Sequence, residues 1–151
     1  MNAKEWQNKI HTEIPISKLM GVKVKIAQSN QVEFEVPLKP NRNHHGTAFG
    51  GTLLSMQALC AWFWIMRNCE REKFENIIVI KKSASRFRRP VTTDFSVYAE
   101  PANEKQWIQF KKQVLKSGTA SIKMKAFVIC KEKICVEFEG EYVALADLKG
   151  S

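Results

Sequence analysis

The chain has 151 residues, 44% hydrophobic and 26% charged. That is enough to bury one core and is ordinary for a globular protein, which argues against a disordered or fibrous chain. Lysine and arginine outnumber the acids 24 to 15, for a formal charge of +9, so the surface attracts phosphate-bearing groups without specifying a fold.

The N-terminal stretch lacks a signal-peptide pattern, and the apolar run Leu53 to Met66 falls short of the roughly 20 residues a bilayer span needs. A cytoplasmic protein without a membrane span is expected. Cys60, Cys69, Cys130 and Cys135 show no zinc-type spacing, so no metal site and free thiols are expected.

Trp6 and Ile10 recur at helical spacing, placing a short amphipathic helix over about 3–14. Pro15 opens a further turn that Gly21 ends. Val22, Val24 and Ile26 alternate with lysines as a strand, Gln28 to Gln31 turn, and Val32, Phe34 and Val36 form a second strand. Pro37 and Pro40 lead into the loop Asn41-Arg-Asn-His-His-Gly-Thr47. A helix-length segment from Gly50 follows, apolar on nearly every side. Ile77 to Ile80 run into the basic stretch Lys81 to Arg89, which Pro90 breaks. Phe95, Val97 and Ala99 alternate in the next strand, and these two segments are expected to pair as a hairpin. Trp107, Phe110, Val114 and Leu115 then mark one helix face, with Asn103 as N-cap and Gly118 as the stop. Two alternating strands, Thr119 to Cys130 and Ile134 to Leu145, flank a turn at 131–134.

No repeat, linker or low-complexity tract interrupts the chain, so residues 1–151 are expected to form one α+β domain, with its core over about 15–146. Short turns make neighbouring strands antiparallel, and about six strands beside one apolar helix favour a curved sheet wrapped around it. The N-terminus of such a helix offers unpaired N–H groups, and glycines there let a ligand reach the main chain. It reads as a site for a carbonyl oxygen or an anion.

The pattern Asn43-x-x-Gly46-Thr47-x-x-Gly50-Gly51 before an apolar helix resembles that of hotdog-fold thioesterases. Phe87-Arg-Arg-Pro-Val91 with Asp94 resembles the strand and turn that follow in that fold. Gly46-Thr-Ala-Phe-Gly-Gly51 and Gly140-Glu-Tyr-Val-Ala-Leu145 are similar to the thioesterase domain forming the C-terminal half of bacterial YiiD-type acetyltransferase fusions. The resemblance spans roughly residues 15–146. It implies a hotdog fold, an acyl-CoA or acyl-carrier-protein thioester as substrate, and a homodimer or dimer of dimers with sites at the subunit interface. No cofactor is implied beyond the coenzyme A moiety of the substrate.

Under that resemblance, the Gly50 and Gly51 N–H groups hold the thioester oxygen, and Asn43 orients the carbonyl or the attacking water. Each has a plainer reading: close helix packing for the glycines, and a local loop cap for Asn43. Many relatives carry histidine where Phe49 stands, and a carboxylate at the position of Ala58, beside Gln57. No carboxylate lies between Thr52 and Asn68. Gln57, Thr52 or Ser55 would then position water, and His44 and His45 are the only titratable groups in the loop. Asp94 reads as a structural turn carboxylate. His45, Phe49, Ser83, Ser85, Arg86 and Arg88 are the expected substrate contacts, with the arginines toward the phosphates of coenzyme A. Alternation puts Arg86 and Arg88 on one face of their strand without fixing which face meets the ligand. A solvated basic face is the plainer reading of that stretch. Trp62, Phe63, Trp64 and Met66 have two readings, lining for an acyl pocket or core, and helical spacing puts most of them in the core. The leading function is thioester hydrolysis, and the alternative is an acyl-CoA binding module without turnover. Nucleic-acid binding has only the charge in its favour, so no nucleic-acid partner is expected.

Overall fold

Burial alternates along β2 (Val32–Val36), β4 (Phe95–Pro101) and β5 (Ala120–Cys130), so each strand turns one face to a core and one to solvent. The structure is a computed structural model, and it describes residues 1–146. The tail of the expected domain, 147–151, lies outside the described residues. With β1 (Lys23–Ala27), β3 (Ile77–Phe87) and β6 (Lys133–Leu145), the strands form a six-stranded antiparallel sheet in the order β1-β2-β4-β5-β6-β3. A helix of 22 residues, Gly50–Arg71, lies across its inner face. We number it α3, after α1 (Ala3–Glu13) and α2 (Pro15–Leu19). The sheet curves around it, as expected.

Local signals set the helix ends. Asn2 and Glu5 form a reciprocal capping box at α1. In α4 (Glu104–Ser117), Asn103 accepts the Lys105 N–H, and Gly118 closes the helix at φ 76°, a left-handed conformation that favours glycine. Trp107 and Phe110 of α4 stack, and Trp107 meets Trp64 of α3 edge-on. Leu115 departs from expectation. It is 77% exposed, because the buried stripe of α4 runs through Trp107, Phe110 and Val114, and Leu115 lies one residue beyond it.

The expected pairing of β3 with β4 is overturned. β3 pairs with β6, while β4 pairs with β2 and β5. Residues 88–94 carry the chain across the end of the sheet instead of turning it back. Along that path the Arg88 and Arg89 N–H groups donate to Cys135 O, Thr93 Oγ1 meets Cys130 Sγ at 3.0 Å, and Asp94 Oδ1 accepts the Leu38 N–H. Asp94 is thus the turn carboxylate the sequence indicated. The β5–β6 turn is tighter than expected, with Lys131 and Glu132 both at positive φ (50° and 65°). All four cysteines are free and buried, and burial is the main reason the Cys69 thiol is pushed up to about 12.

Register with β6 settles the face of the basic strand. Residues paired across a ladder share a face. Ser83, Ser85 and Phe87 oppose Gly140, Phe138 and Val136, whose own burial marks the inner face. Arg86 opposes Glu137 and Lys82 opposes Glu141, while Lys123 and Lys125 of β5 flank Glu141 and Glu139 from the other side. The outer face therefore carries an acidic strand between two basic ones.

Candidate functional site

Residues 41–49 form a narrow antiparallel loop. The Phe49 N–H donates to Asn41 O at 2.7 Å, Arg42 bridges Ala48, and the Asn43 N–H donates to Thr47 O at 2.7 Å. Gly46 makes its turn at φ 82°, where a side chain would be strained. Asn41 is buried and ties the loop to the body through Met20 O and Pro37 O, both at 2.8 Å. On the far side the Ala48 N–H donates to Val91 O. The loop thus delivers the chain to the start of α3 at a fixed angle.

No side chain caps that start. The Thr52 and Leu53 N–H groups turn back to Phe49 O, leaving the Gly50 and Gly51 N–H groups without a hydrogen-bond partner among the described residues. Both glycines are partly exposed. A Cβ on Gly50 would find Phe87 at 3.8 Å as its nearest neighbour, an ordinary contact, and one on Gly51 would strike the Phe49 ring. The Phe49 ring thus accounts for the missing side chain at Gly51, whereas packing does not account for Gly50. Phe49 and Phe87 are both exposed, and their rings flank the two amides. The helix dipole adds partial positive charge at this point. The arrangement can accept an oxygen that gains negative charge.

Ser83, Ser85 and Phe87 face the same side of the sheet as this helix start. Ser85 Oγ is buried without a hydrogen-bond partner. Arg86 and Arg88 lie on the opposite, outer face, where Arg88 Nη2 pairs with Glu137 Oε2 at 2.8 Å. The hydrogen bond from Arg88 holds the Glu137 carboxyl below the usual range.

Within the loop, Asn43 Oδ1 accepts the His45 and Thr47 N–H groups, and its Nδ2 donates to Thr47 Oγ1 at 2.8 Å. The side chain therefore shapes the loop it belongs to. The His44 and His45 rings sit 4.0 Å apart, and both residues are exposed. Gln57 is fully buried. Its Nε2 donates to Ala126 O and Val136 O, both at 3.2 Å, and its Oε1 has no partner. Thr52 is buried as well, whereas Ser55 is exposed one turn below Gly51, its Oγ donating to Gly51 O at 2.8 Å. The structure thus brings Phe49, Gly50, Gly51 and Phe87 together at the helix start, with Ser55 one turn below, and puts Ser83 and Ser85 on the sheet face that α3 covers. It places Gln57 inside the core and Arg86 and Arg88 behind the sheet.

The expectation of a fully wrapped helix also changes. The stripe Gly51, Ser55, Ala58, Trp62 stays partly open, while Phe63 and Trp64 are core. Tyr142 of β6 braces this stripe, its hydroxyl donating to Ala58 O at 2.6 Å. Burial, and secondarily Cys60, raises its pKa. The α1–α2 corner borders the same stripe through Ile14 and Ile16. The sequence held a signal for the corner in Ile14-Pro15-Ile16, where proline starts a new helix directly after α1 and Ile16 stays exposed. Among the described residues, no group of three or more His, Cys, Asp or Glu is placed to hold a metal ion, and no helix is long and apolar enough to cross a membrane.

A family described as "Putative thioesterase (yiiD_Cterm)" matches residues 3–146. The chain belongs to this family. A solved structure of a protein of unknown function from Chlorobaculum tepidum superposes with a TM-score of 0.88 at 22% identity, covering 96% of this chain and 94% of that one. One described as a putative thioesterase, from Shewanella oneidensis, gives 0.83 at 24% identity, covering 95% and 96%. A thioesterase from Haemophilus influenzae gives 0.74 at 13% identity, covering 95% and 91%. At these identities the likeness speaks for the fold, which is the hotdog fold.

Proposed function

We propose that this chain hydrolyses acyl-CoA or acyl-carrier-protein thioesters to a free acid and a thiol. The observation that carries the reading is the glycine pair. Its two amides are unpaired at a helix N-terminus where both glycines are partly exposed, in a chain of the yiiD_Cterm thioesterase family, and packing does not require a glycine at position 50. The thioester oxygen sits on the Gly50 and Gly51 N–H groups, which bind it more strongly as negative charge develops. A water adds its oxygen to the carbonyl carbon, the C–S bond breaks, and the proton lost by the water ends on the departing sulfur. Ser55, whose proton is committed to Gly51 O, keeps oxygen lone pairs free to orient that water. His45 and His44 are the loop groups able to carry the proton. Asn43 holds the loop, and Ser83 and Ser85 border the pantetheine arm. Gln57 props the helix from inside, and Arg86 and Arg88 brace β3 through Glu137.

The proposal includes a homodimer. β3 is an edge strand of 11 residues with Ile77, Val79, Ile80 and Phe87 between 41% and 51% exposed. Pairing two such edges about a two-fold axis removes the liability of an open apolar edge, and it brings a second copy beside each helix start.

An acyl-CoA panel with detection of free thiol tests the activity. Gly50→Ala should lower kcat/KM by about 100-fold, by crowding the oxygen site, with unchanged thermal stability because Phe87 leaves room for the methyl. No turnover on any chain would contradict hydrolysis. One observation favours the second reading, a binding module without turnover: from Thr52 to Asn68 α3 offers no carboxylate to activate water, and Glu70 lies at its far end.

A further inference from the structure

A cavity of about 260 Å³ lies against the open stripe of α3, between that helix and the α1–α2 corner. Ile14, Ile16 and Met20 form one wall, and Met56, Leu59 and Trp62 form the other. Ser55 and Ala58 continue the line from Gly51, so the cavity begins one turn below the amides. Trp62 lines it about 16 Å from Gly51 along the axis, at about 1.5 Å per residue. Only three hydroxyls reach the lining, and each is already committed. Ser17 Oγ donates to Ile14 O at 2.7 Å, Ser55 Oγ to Gly51 O at 2.8 Å, and Tyr142 OH to Ala58 O at 2.6 Å. The lining contains no charged residue.

We infer that this cavity takes the acyl chain of the substrate and selects an unsubstituted aliphatic chain over one with a polar group along its length. The inference rests on the hydrolase reading for the position of the carbonyl, and on the lining alone for the chemistry of the chain. A thioester carbonyl on Gly50 and Gly51 directs its acyl group down the same helix face into the cavity. A hydrocarbon chain there replaces water against apolar walls. A hydroxyl or carboxylate on the chain would lose its hydration with no uncommitted donor to replace it. Ile80, on the free edge of β3, stands in the wall, so a second copy paired at that edge would close the remaining side.

Calorimetry with S-octyl-CoA, its ω-hydroxy and ω-carboxy analogues, and CoA alone tests the selection, with turnover of octanoyl-CoA measured in parallel. None of the three thioethers can be hydrolysed, so binding and chemistry are read separately. The S-octyl compound should bind at least about tenfold more tightly than the ω-hydroxy one, and the ω-carboxy one should bind no better than CoA. Ala58→Leu, which fills the cavity, should remove that advantage while leaving the affinity for CoA unchanged. Ile16→Ser, on an exposed residue of α2 and therefore safe for folding, should narrow it. Equal affinity for the three thioethers would overturn the selection even if octanoyl-CoA is hydrolysed. Selective binding without turnover would support the cavity assignment and contradict hydrolysis. Failure of every thioether to bind would overturn the cavity assignment, and absence of octanoyl-CoA turnover beside it would overturn hydrolysis as well.

Discussion

The two edges of the sheet are treated in opposite ways. At the β1 edge, side chains fill the unpaired backbone positions. Gln7 Oε1 accepts the Val24 N–H at 3.0 Å, His11 Nε2 donates to Val22 O at 2.8 Å, and Arg67 Nε donates to Ala27 O at 3.0 Å. Where β5 overhangs β4, α4 does the same: Gln106 and Gln113 accept the Lys123 and Ser121 N–H groups at 2.9 and 3.2 Å. The edge of β3 has no such cover among the described residues, and it is the longest and most apolar edge of the sheet. A chain that shields one edge with glutamines has a ready means of shielding the other. An edge left bare suits the pairing proposed above. It also borders the open face of α3 through Ile80, so the proposed assembly and the candidate site would share one border.

Charging the bare edge should give the largest effect. Val79→Lys places like charges near each other across a two-fold, at several kcal/mol. It should turn a dimer into a monomer by light scattering and abolish most thioester turnover. An unchanged mass would break the contrast between the edges. Stripping the covered edges should act on stability alone. Gln7→Ala and Gln106→Ala each leave a strand N–H without its partner, costing about 1–2 kcal/mol in denaturant unfolding with no change in oligomeric state. A change of mass in either variant would mean that those edges also carry assembly.

The smallest effect belongs to the outer ladder that ties β3 to β6. Arg88 depresses the Glu137 carboxyl, so this pair contributes stability above the ordinary carboxylate range. That contribution is lost as pH falls through the depressed value. Both side chains are exposed, and solvent screening keeps the term small. Glu137→Gln should lower the neutral-pH melting temperature slightly and flatten its fall toward acid. A large drop would mean that the ladder, and not the core, secures the bare strand.

These contrasts also mark what was legible in the sequence. The period-two strands and the ends of α4 at Asn103 and Gly118 depend on residues close in sequence, and they appear as expected. The partner of β3 depends on β6, some 60 residues further along, and the crossing at 88–94 carries no more local mark than a turn does. The face of Arg86 and Arg88 follows from a register that includes the extra residue Lys81, at the shift between Ile80 and Lys82. Alternation alone does not reveal such a bulge. Gln7, Gln106 and Gln113 read as solvent-facing residues of amphipathic helices, because their acceptors face strands that are distant in sequence or invisible without the fold. The place of the glycine pair at the start of α3 was legible because it adjoins the apolar run directly. Gln57 was less so, since a polar residue in an apolar helix reads equally as a site group or as an internal strut.

The central claim is that the first two amides of α3 hold the thioester oxygen. Amide NMR during titration with a ketone analogue of octanoyl-CoA, in which CH2 replaces the thioester sulfur, tests it most directly. The account predicts that the Gly50 and Gly51 amide protons shift downfield together and saturate with binding. Saturable binding seen at other residues, with those two signals unmoved, would contradict it.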